Sequence, residues 1–438
     1  MTNHAPGGRV KTAAAILTAA MCLQLGGCSI GAPAMGEPIR PGTGEALTVW
    51  VMQGDFSDGT LEAINREFTE RTGVPVDVQV QQWDRISTKI TTALVTPDPP
   101  DVLDIGNTKV SGFAANGGLA DLDAYRFRFE HEASWLSGLE DPATLDGSLY
   151  GIPVFGATRA VIYNKKMWAQ AGIDTPPSTW DELIADLDAV AERFADDPGF
   201  CPLYLPGRNW FSGVQFIWDA GGELARNDGG WGGLVSSPAS LTGLERWRDF
   251  QNRYSTPASR TAETASPDMS QLLAEGRTSA ILWNSASMRN VTVINPDITA
   301  DDLGSFAMPG YNGGMQPAVL AGSVLSVASR SPNTDLAVEW IGIATGERIQ
   351  HDYVVGKDGW LPNNLDQLDS ILSEQGFAQS QRGFFEAARN SRATPVSPNW
   401  SRVEEDGSLP SLFVSVATGS STPRAAAQRF DAHLDDVL

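Results

Sequence analysis

Short apolar runs and helical apolar spacings alternate along the chain from Leu47 onward. The run Leu47–Met52 has the composition of a buried strand, and a helical stripe then continues to Gly73, which is placed to end a helix. Valines alternate with other residues over 74–80, as in a half-buried strand. After a second helical stripe comes another apolar run, Asp101–Ile105. This β-α-β-α-β order predicts a parallel sheet with helices on its faces.

The same alternation continues toward the end of the chain. Thr179 and Glu182 form a capping box, which predicts the start of a long amphipathic helix. A strand is predicted over Thr278–Trp283, and further amphipathic helices follow Pro332 and close the chain through Leu434. The roughly 390 residues of the periodic part exceed what one hydrophobic core usually holds. We therefore predict an α/β protein with two lobes.

The first 45 residues have the features of a segment that directs a protein out of the cytoplasm. A positively charged start precedes an apolar run over 12–23, which is too short to span a bilayer and has the length of a secretory signal. Leu25-Gly26-Gly27-Cys28 follows and resembles the lipobox of bacterial lipoproteins, so we predict a signal peptide over 1–27 and lipid attachment at Cys28. A plain secretion signal with an incidental cysteine is the alternative. Residues 28–45, rich in Gly and Pro, are predicted to form a flexible tether.

Composition narrows the class of function. The net charge of −22 argues against nucleic-acid binding, which needs a basic surface. If Cys22 leaves with the signal and Cys28 carries lipid, only Cys201 remains, so a disulfide framework or thiolate metal cluster cannot form within one chain. We expect Cys201 to be a small buried hydrophobe. The prediction is an extracytoplasmic monomer, anchored to the cell membrane by lipid, with no metal and no cofactor.

Polar residues beside glycines follow two of the predicted parallel strands. Gln53-Gly54-Asp55 comes after the first strand and Gly106-Asn107-Thr108 after the third. Ligands bind beyond the carboxyl ends of strands in open parallel sheets. A sugar would need such amide and carboxylate groups, because each buried polar group without a partner costs about 1–3 kcal/mol. Two other roles stay open, a turn residue for Asn107 and a helix cap for Asp55.

The 13 tryptophans supply the flat apolar surface that the C–H face of a sugar ring requires. Three lie on amphipathic helical stripes and are assigned to the core: Trp180, Trp247 and Trp340. Three others stand beside turn residues or at a strand end and are pocket candidates: Trp210, Trp283 (followed by Asn284) and Trp360. Structural packing is the alternative for each of these.

Short motifs in a fixed order cover nearly the whole chain after Cys28. In chain order they are Thr48-Val49-Trp50, Thr72–Val76, Pro100-Asp101-Val102, Gly118–Leu122, Tyr150–Pro153, Thr158-Arg159, Ile162–Lys165, Pro176–Leu183 and Gly221–Leu224. With these motifs the chain resembles the family 1 extracellular solute-binding proteins of carbohydrate ABC importers, the class that includes maltose-binding protein.

The resemblance implies a two-lobed periplasmic-binding-protein-like fold, each lobe a mostly parallel sheet flanked by helices, with a hinge between the lobes. It places lobe 1 over 46–155 with about 320–352, and lobe 2 over 156–319 with about 353–438. The implied function is capture of a mono- or oligosaccharide between the lobes, followed by delivery to the permease subunits of an importer. A disaccharide is favoured, with amino sugars among the candidates.

Carried over residue by residue, the resemblance also implies a set of ligand contacts. They are Gln53, Asp55, Asn107, Thr108, Thr158, Arg159, Trp210, Trp283, Asn284, Gly322, Ser323 and Trp360. One departure affects the identity of the ligand: many relatives carry two aromatics, a small residue and Asp before Thr-Arg, whereas this chain has Val154-Phe155-Gly156-Ala157. On this basis, Trp283→Ala and Asn107→Ala are expected to weaken binding without unfolding the protein.

Other classes of function make different predictions. A secreted glycosidase needs only two carboxylates, so the 53 acidic residues neither support nor exclude one. The sequence has no nucleophile elbow, no P-loop and no metal-ligand pair, and we expect no catalysis. A peptide, amino acid or glycerophosphodiester is the alternative ligand. A phosphate would need a basic residue in the cleft, for which Arg159 is the first candidate and Arg208 the second. A signalling or adhesion lipoprotein would gain no stability from any small sugar.

Overall fold

The computed structural model describes residues 46–129 and 131–438. The predicted signal peptide, the lipid-attachment site Cys28 and the tether lie outside these residues. Within the described part of the chain, no helix combines the length and apolarity needed to cross a membrane.

The strands of the described residues form two main sheets and three short two-stranded pairs. They are β1 (Leu47–Met52), β2 (Val76–Gln81), β3 (Val102–Gly106), β4 (Thr144–Leu145), β5 (Ser148–Leu149), β6 (Ile152–Ala157), β7 (Ala160–Asn164), β8 (Cys201–Tyr204), β9 (Ala225–Asn227), β10 (Trp231–Gly233), β11 (Thr278–Trp283), β12 (Leu303–Phe306), β13 (Ala318–Val319), β14 (Ala321–Val327) and β15 (Ser391–Arg392).

Helices cover both faces of the main sheets. They are α1 (Asp58–Thr72), α2 (Ile86–Leu94), α3 (Val110–Ala115), α4 (Ser137–Ala143), α5 (Lys165–Gln170), α6 (Trp180–Arg193), α7 (Trp210–Asp219), α8 (Pro238–Tyr254), α9 (Met269–Ala274), α10 (Ala286–Ile294), α11 (Thr334–Thr345), α12 (Glu347–Ile349), α13 (Leu365–Leu372), α14 (Arg382–Arg389), α15 (Trp400–Glu405), α16 (Ser408–Ala417) and α17 (Pro423–Val437).

The first sheet has the order β2-β1-β3-β14-β6. Strand β1 is parallel to both of its neighbours, which confirms the parallel pairing predicted from the β-α-β-α-β order. Strand β14 is antiparallel to both β3 and β6, so four of the five strands run in one direction. The carboxyl ends of β1, β2 and β3 therefore lie at one edge of the sheet.

The second sheet has the order β12-β7-β11-β8, and β7 is antiparallel to both of its neighbours. Its side chains alternate between two buried layers: Val161 and Tyr163 face one core, while Ala160 and Ile162 face the other. Burial on both faces explains why this strand appears in the sequence as a continuous apolar run. The fold is two-lobed, with one sheet in each lobe. The residue boundaries of the lobes stay a prediction.

The chain passes between the sheets at three places, and these meet at Gly156. Strand β6 leads directly into β7, β14 returns to the first sheet, and Leu361 lies in the third passage. The amide nitrogen of Gly156 donates to the Leu361 carbonyl at 3.1 Å, and the Leu361 amide nitrogen returns the bond at 3.0 Å. Gly156 is also in register with Gly322 of β14. The passages are thus hydrogen-bonded to one another.

Several local predictions are confirmed. Gly73 has φ 72° and ends α1 in the left-handed conformation. The capping box of Thr179 and Glu182 starts α6 with both reciprocal hydrogen bonds. Cys201 is buried, as expected. Asp55 does not cap α1, because the side chain of Ser57 accepts the capping bond from Thr60.

Candidate functional site

Arg159 lies just after the first passage between the sheets, and its side chain is 9 % exposed. Its guanidinium carbon lies 3.6 Å from the ring centre of Phe211 and 5.6 Å from that of Trp283. Among the described residues, Nε and Nη1 of Arg159 have no hydrogen-bond partner. Stacking on aromatic faces holds the cation without using these N–H groups. Both N–H groups are thus buried without an acceptor in the part of the chain that the structure describes.

Burial lowers the pKa of Arg159 to about 10, and the nearby Glu404 carboxylate opposes this shift. The guanidinium therefore stays charged at neutral pH. A buried charge with unused donors destabilises a protein unless something else satisfies it. Such a group is typical of a binding site, where the ligand supplies the missing acceptors.

Glu404 of α15 acts electrostatically on this guanidinium and connects both lobes. Its Oε2 accepts from the Thr108 hydroxyl at 2.9 Å, and its Oε1 accepts from the Trp400 indole N–H at 2.9 Å. Burial raises the pKa of Glu404, while these two hydrogen bonds lower it. Here the loop after β3 meets the second lobe. We call Thr108, Arg159, Phe211, Trp283 and Glu404 the interlobe site.

An aromatic wall supports the interlobe site. Trp210 stacks on Phe211 with ring centres 3.8 Å apart, and Phe211 meets Trp283 edge-on at 6.4 Å. Trp210 starts α7 and is 8 % exposed, so it supports Phe211 and does not stand at an exposed loop tip. Asn209 caps this helix, which explains why a turn-forming residue precedes Trp210 in the sequence. Asn284 follows Trp283 directly and is half-buried.

A second group of predicted contacts lies where the passages meet the first sheet. The Trp360 indole N–H donates to the Asp55 carbonyl at 2.8 Å, and its ring stacks on Phe155 at 4.7 Å. The Ser323 hydroxyl donates to the Asp55 carboxyl at 2.9 Å. Phe155 belongs to the unusual Val154–Ala157 segment, which thus keeps one aromatic ring at this place.

A cavity of about 660 Å³ opens beside Trp360. Both lobes line it: Gly54 and Phe56 come from the first, and Ser285 and Arg289 from the second. Ligand pockets in proteins commonly measure about 300–1,000 Å³ and combine aromatic walls with a few polar groups. This cavity has room for a molecule the size of a disaccharide.

Four of the residues predicted to contact a ligand lie outside the two groups described above. The Asn107 amide donates to the carbonyls of Gly138 at 2.9 Å and Leu320 at 3.0 Å, and the Thr158 hydroxyl donates to the Phe384 carbonyl at 3.1 Å. A side chain at Gly322 would overlap β6. Gln53 is exposed, with its backbone N–H bonded to the Gln81 carbonyl. Asn107, Thr158 and Gly322 hold the passages between the lobes in place, whereas Gln53 is open to solvent.

Replacing Asn107 with alanine is expected to destabilise the protein as well as any complex. The two carbonyls that the amide satisfies are left buried without donors, at a total cost of about 2–4 kcal/mol. Chemical denaturation measures this directly. Asn116→Ala is the matched control, because Asn116 makes the same kind of bond to the Gly112 carbonyl on an exposed helix end. Equal stabilities of the two variants would contradict the structural role of Asn107.

Sequence reasoning missed three residues at these sites. Phe211 and Glu404 carry no distinguishing signal, since one lies within an aromatic helix start and the other among 53 acidic residues. Trp83 could have been found, because an indole stands among polar residues just after the alternating strand β2. It is 46 % exposed, and its Cζ3 lies 3.8 Å from where a Cβ on Gly106 would be.

Comparisons with known proteins identify the family of the chain. A family model for bacterial extracellular solute-binding proteins matches residues 53–351. The diacetylchitobiose binding protein DasA of Streptomyces coelicolor is 32 % identical over 397 residues, covering 90 % of each chain.

Two solved structures share the fold at lower identity. The sugar-binding protein MalE of Xanthomonas citri superimposes with a TM-score of 0.79 at 22 % identity, over 90 % of this chain and 97 % of that one. The GacH receptor of Streptomyces glaucescens, solved unliganded and with acarbose, gives 0.70 at 20 % identity, over 90 % and 98 %. With the family model matching most of the described residues, this chain belongs to the bacterial extracellular solute-binding protein family.

Proposed function

We propose that this protein is the substrate-binding component of an ABC-type sugar importer and captures a carbohydrate between its lobes. The observation that carries the proposal is the buried Arg159, whose unpaired donors lie against an aromatic wall and beside the Glu404 carboxylate. Aromatic faces suit the C–H side of a sugar ring, and the charged groups suit its hydroxyls. Because the Arg159 guanidinium is accompanied by the acidic side chain of Glu404, the site favours a neutral ligand over an anion.

We propose a disaccharide as the ligand, with N-acetylated amino sugars as the first candidates. An acetamido group carries both a carbonyl acceptor and an N–H donor. Arg159 offers a complementary donor, and Glu404, which acts electrostatically on it, offers an acceptor. DasA, which is similar to this protein over 90 % of the chain, is a diacetylchitobiose binding protein. The exposed indole of Trp83 offers a platform for a ring on the first lobe.

Closure of the lobes around the passages would complete the site. Thr108 and Glu404 already join the lobes, and the Lys109–Glu405 ion pair lies beside them. A ligand that bridges Arg159 and the first lobe would favour this closed arrangement. The closed form would then be presented to the permease subunits of the importer.

The predicted lipid anchor belongs to the same proposal. A signal peptide over 1–27 and lipid on Cys28 would hold the monomer at the outer side of the cell membrane, close to its permease. We propose binding without catalysis. Detection of hydrolysis products after incubation with chito- or malto-disaccharides would contradict that part of the proposal.

Replacing Trp283 with alanine is expected to weaken sugar binding about 10-fold or more. The variant loses a stacking face, and such a contact contributes about 0.5–1.5 kcal/mol beyond its buried area. Isothermal titration with N,N′-diacetylchitobiose, maltose and cellobiose measures the affinity of the 46–438 fragment. Trp231→Ala is the matched control, because Trp231 is a half-buried indole on the β9–β10 hairpin. If no saccharide binds the unmodified protein, the proposed function is wrong.

A further inference from the structure

Two carboxyl groups meet beneath the loop that follows β1. Asp55 is 6 % exposed and Asp104 of β3 is 1 % exposed, and the two carboxyls are close enough to act on each other electrostatically. The backbone N–H of Met52 donates to Asp104 Oδ2 at 3.1 Å, and the Ser323 hydroxyl donates to Asp55 Oδ2 at 2.9 Å. These contacts connect the first loop to β3 and to the passage strand β14.

The number of donors is too small for two ionised carboxylates. Among the described residues, the buried Asp104 Oδ1 has no donor directed at it. A carboxylate only accepts hydrogen bonds, so two ionised groups cannot bond to each other, whereas one protonated carboxyl supplies the missing O–H. Two like charges in a buried site are also strongly disfavoured. One proton bound by the pair supplies the missing donor and removes one of the two like charges.

Among the residues that the structure describes, no cation contributes to the pKa shift of either carboxyl. The charged residues on the neighbouring 357–360 segment are Lys357, which lies against Gly59, and Asp358, which accepts from the Thr60 hydroxyl at 2.8 Å. Among the described residues, only the two carboxyls themselves act on one another electrostatically. Burial first, and then the neighbouring carboxyl, raises the pKa of Asp55 above its usual range, and burial also raises that of Asp104.

We propose that Asp55 and Asp104 bind one proton between them, and that this shared proton fixes the loop after β1 to the first sheet and the passage strand. The loop carries Gly54 and Phe56, which line the cavity beside Trp360. The proton therefore stabilises one wall of the cavity. This inference goes beyond the proposed function and does not depend on a sugar ligand.

The direction in which pH changes the folding stability follows from the number of protons bound in the folded and unfolded states. In the unfolded chain both aspartates ionise near pH 4, whereas the folded pair keeps its proton at neutral pH. Folding thus takes up one proton, and the stability from the pair is lost as the pH rises from about 4 to the raised pKa of the folded pair. Each pH unit in this window raises the unfolding constant about tenfold.

The test compares the unfolding constants of the unmodified protein and Asp104→Asn between pH 5 and pH 8. Asparagine supplies a permanent N–H donor, so the ratio of the two constants is expected to change about tenfold per pH unit. Asp358→Asn is the matched control and is expected to keep the pH dependence of the unmodified protein. A ratio between the unmodified protein and Asp104→Asn that stays constant with pH would overturn the proposal.

Infrared spectroscopy gives a second test that needs no variant of the pair. The unmodified protein is expected to show a protonated-carboxyl band at pH 7 that disappears in alkaline solution. Because Glu404 is also a buried acid with a raised pKa, the band must persist in Glu404→Gln. Absence of the band at pH 7, or its loss in Glu404→Gln, would show that the pair holds no proton.

Discussion

Arg159→Met is expected to reduce sugar affinity by at least about 100-fold without lowering the stability of the free protein. The affinity falls because each hydrogen bond to a charged group contributes about 1.5–3 kcal/mol, and two unpaired N–H groups are lost. The stability is kept because methionine fills a similar apolar volume while removing a buried charge that lacks acceptors. Glu404 keeps its two donors, Thr108 and Trp400.

Titration calorimetry and thermal unfolding of the same samples separate these two effects. Arg253→Met is the control, because Arg253 forms an exposed ion pair with Asp188 at 2.6 Å and is expected to leave affinity unchanged. A binding defect accompanied by an equally large loss of stability would show that Arg159 is a structural residue. Unchanged affinity would remove it from the site.

Gly322→Ala is expected to destabilise the protein by about 3 kcal/mol, the upper part of the range for overpacked positions. A Cβ at this position would lie 2.2 Å from the Phe155 carbonyl oxygen and 2.8 Å from Leu139 Cδ2. The backbone oxygen cannot move without separating β14 from β6. Because these strands carry two of the passages, the substitution strains the connection between the lobes.

Urea denaturation measures this cost, and another glycine provides the contrast. Gly342 lies inside α11, and a Cβ there would meet no atom within 4 Å. Gly342→Ala is therefore expected to stabilise the protein by about 0.5–1 kcal/mol, the difference between the two residues in a helix interior. If Gly322→Ala were as stable as Gly342→Ala, the close packing of the passages would not be the reason why a glycine occupies position 322.

The resemblance of the motifs predicts one role, ligand contact, for residues whose surroundings in the structure differ. Arg159, Thr108 and Trp283 meet around an unpaired guanidinium, as a binding site requires. Asn107 and Thr158 instead bond to backbone carbonyls and hold the passages together. Motif order does not distinguish these roles, because a polar side chain near a cleft looks the same whether its partner is a ligand or the backbone.

The sequence by itself determined the local elements. Periodicity, the capping box at Thr179 and the left-handed Gly73 depend on neighbours within a few residues, and the structure confirms them. Only the tertiary structure decided that Glu404, more than 240 residues after Arg159, lies beside it, and that Asp55 shares its buried position with Asp104. Such pairings depend on the register of β14 and on where the passages cross, and no short-range pattern in the chain records either.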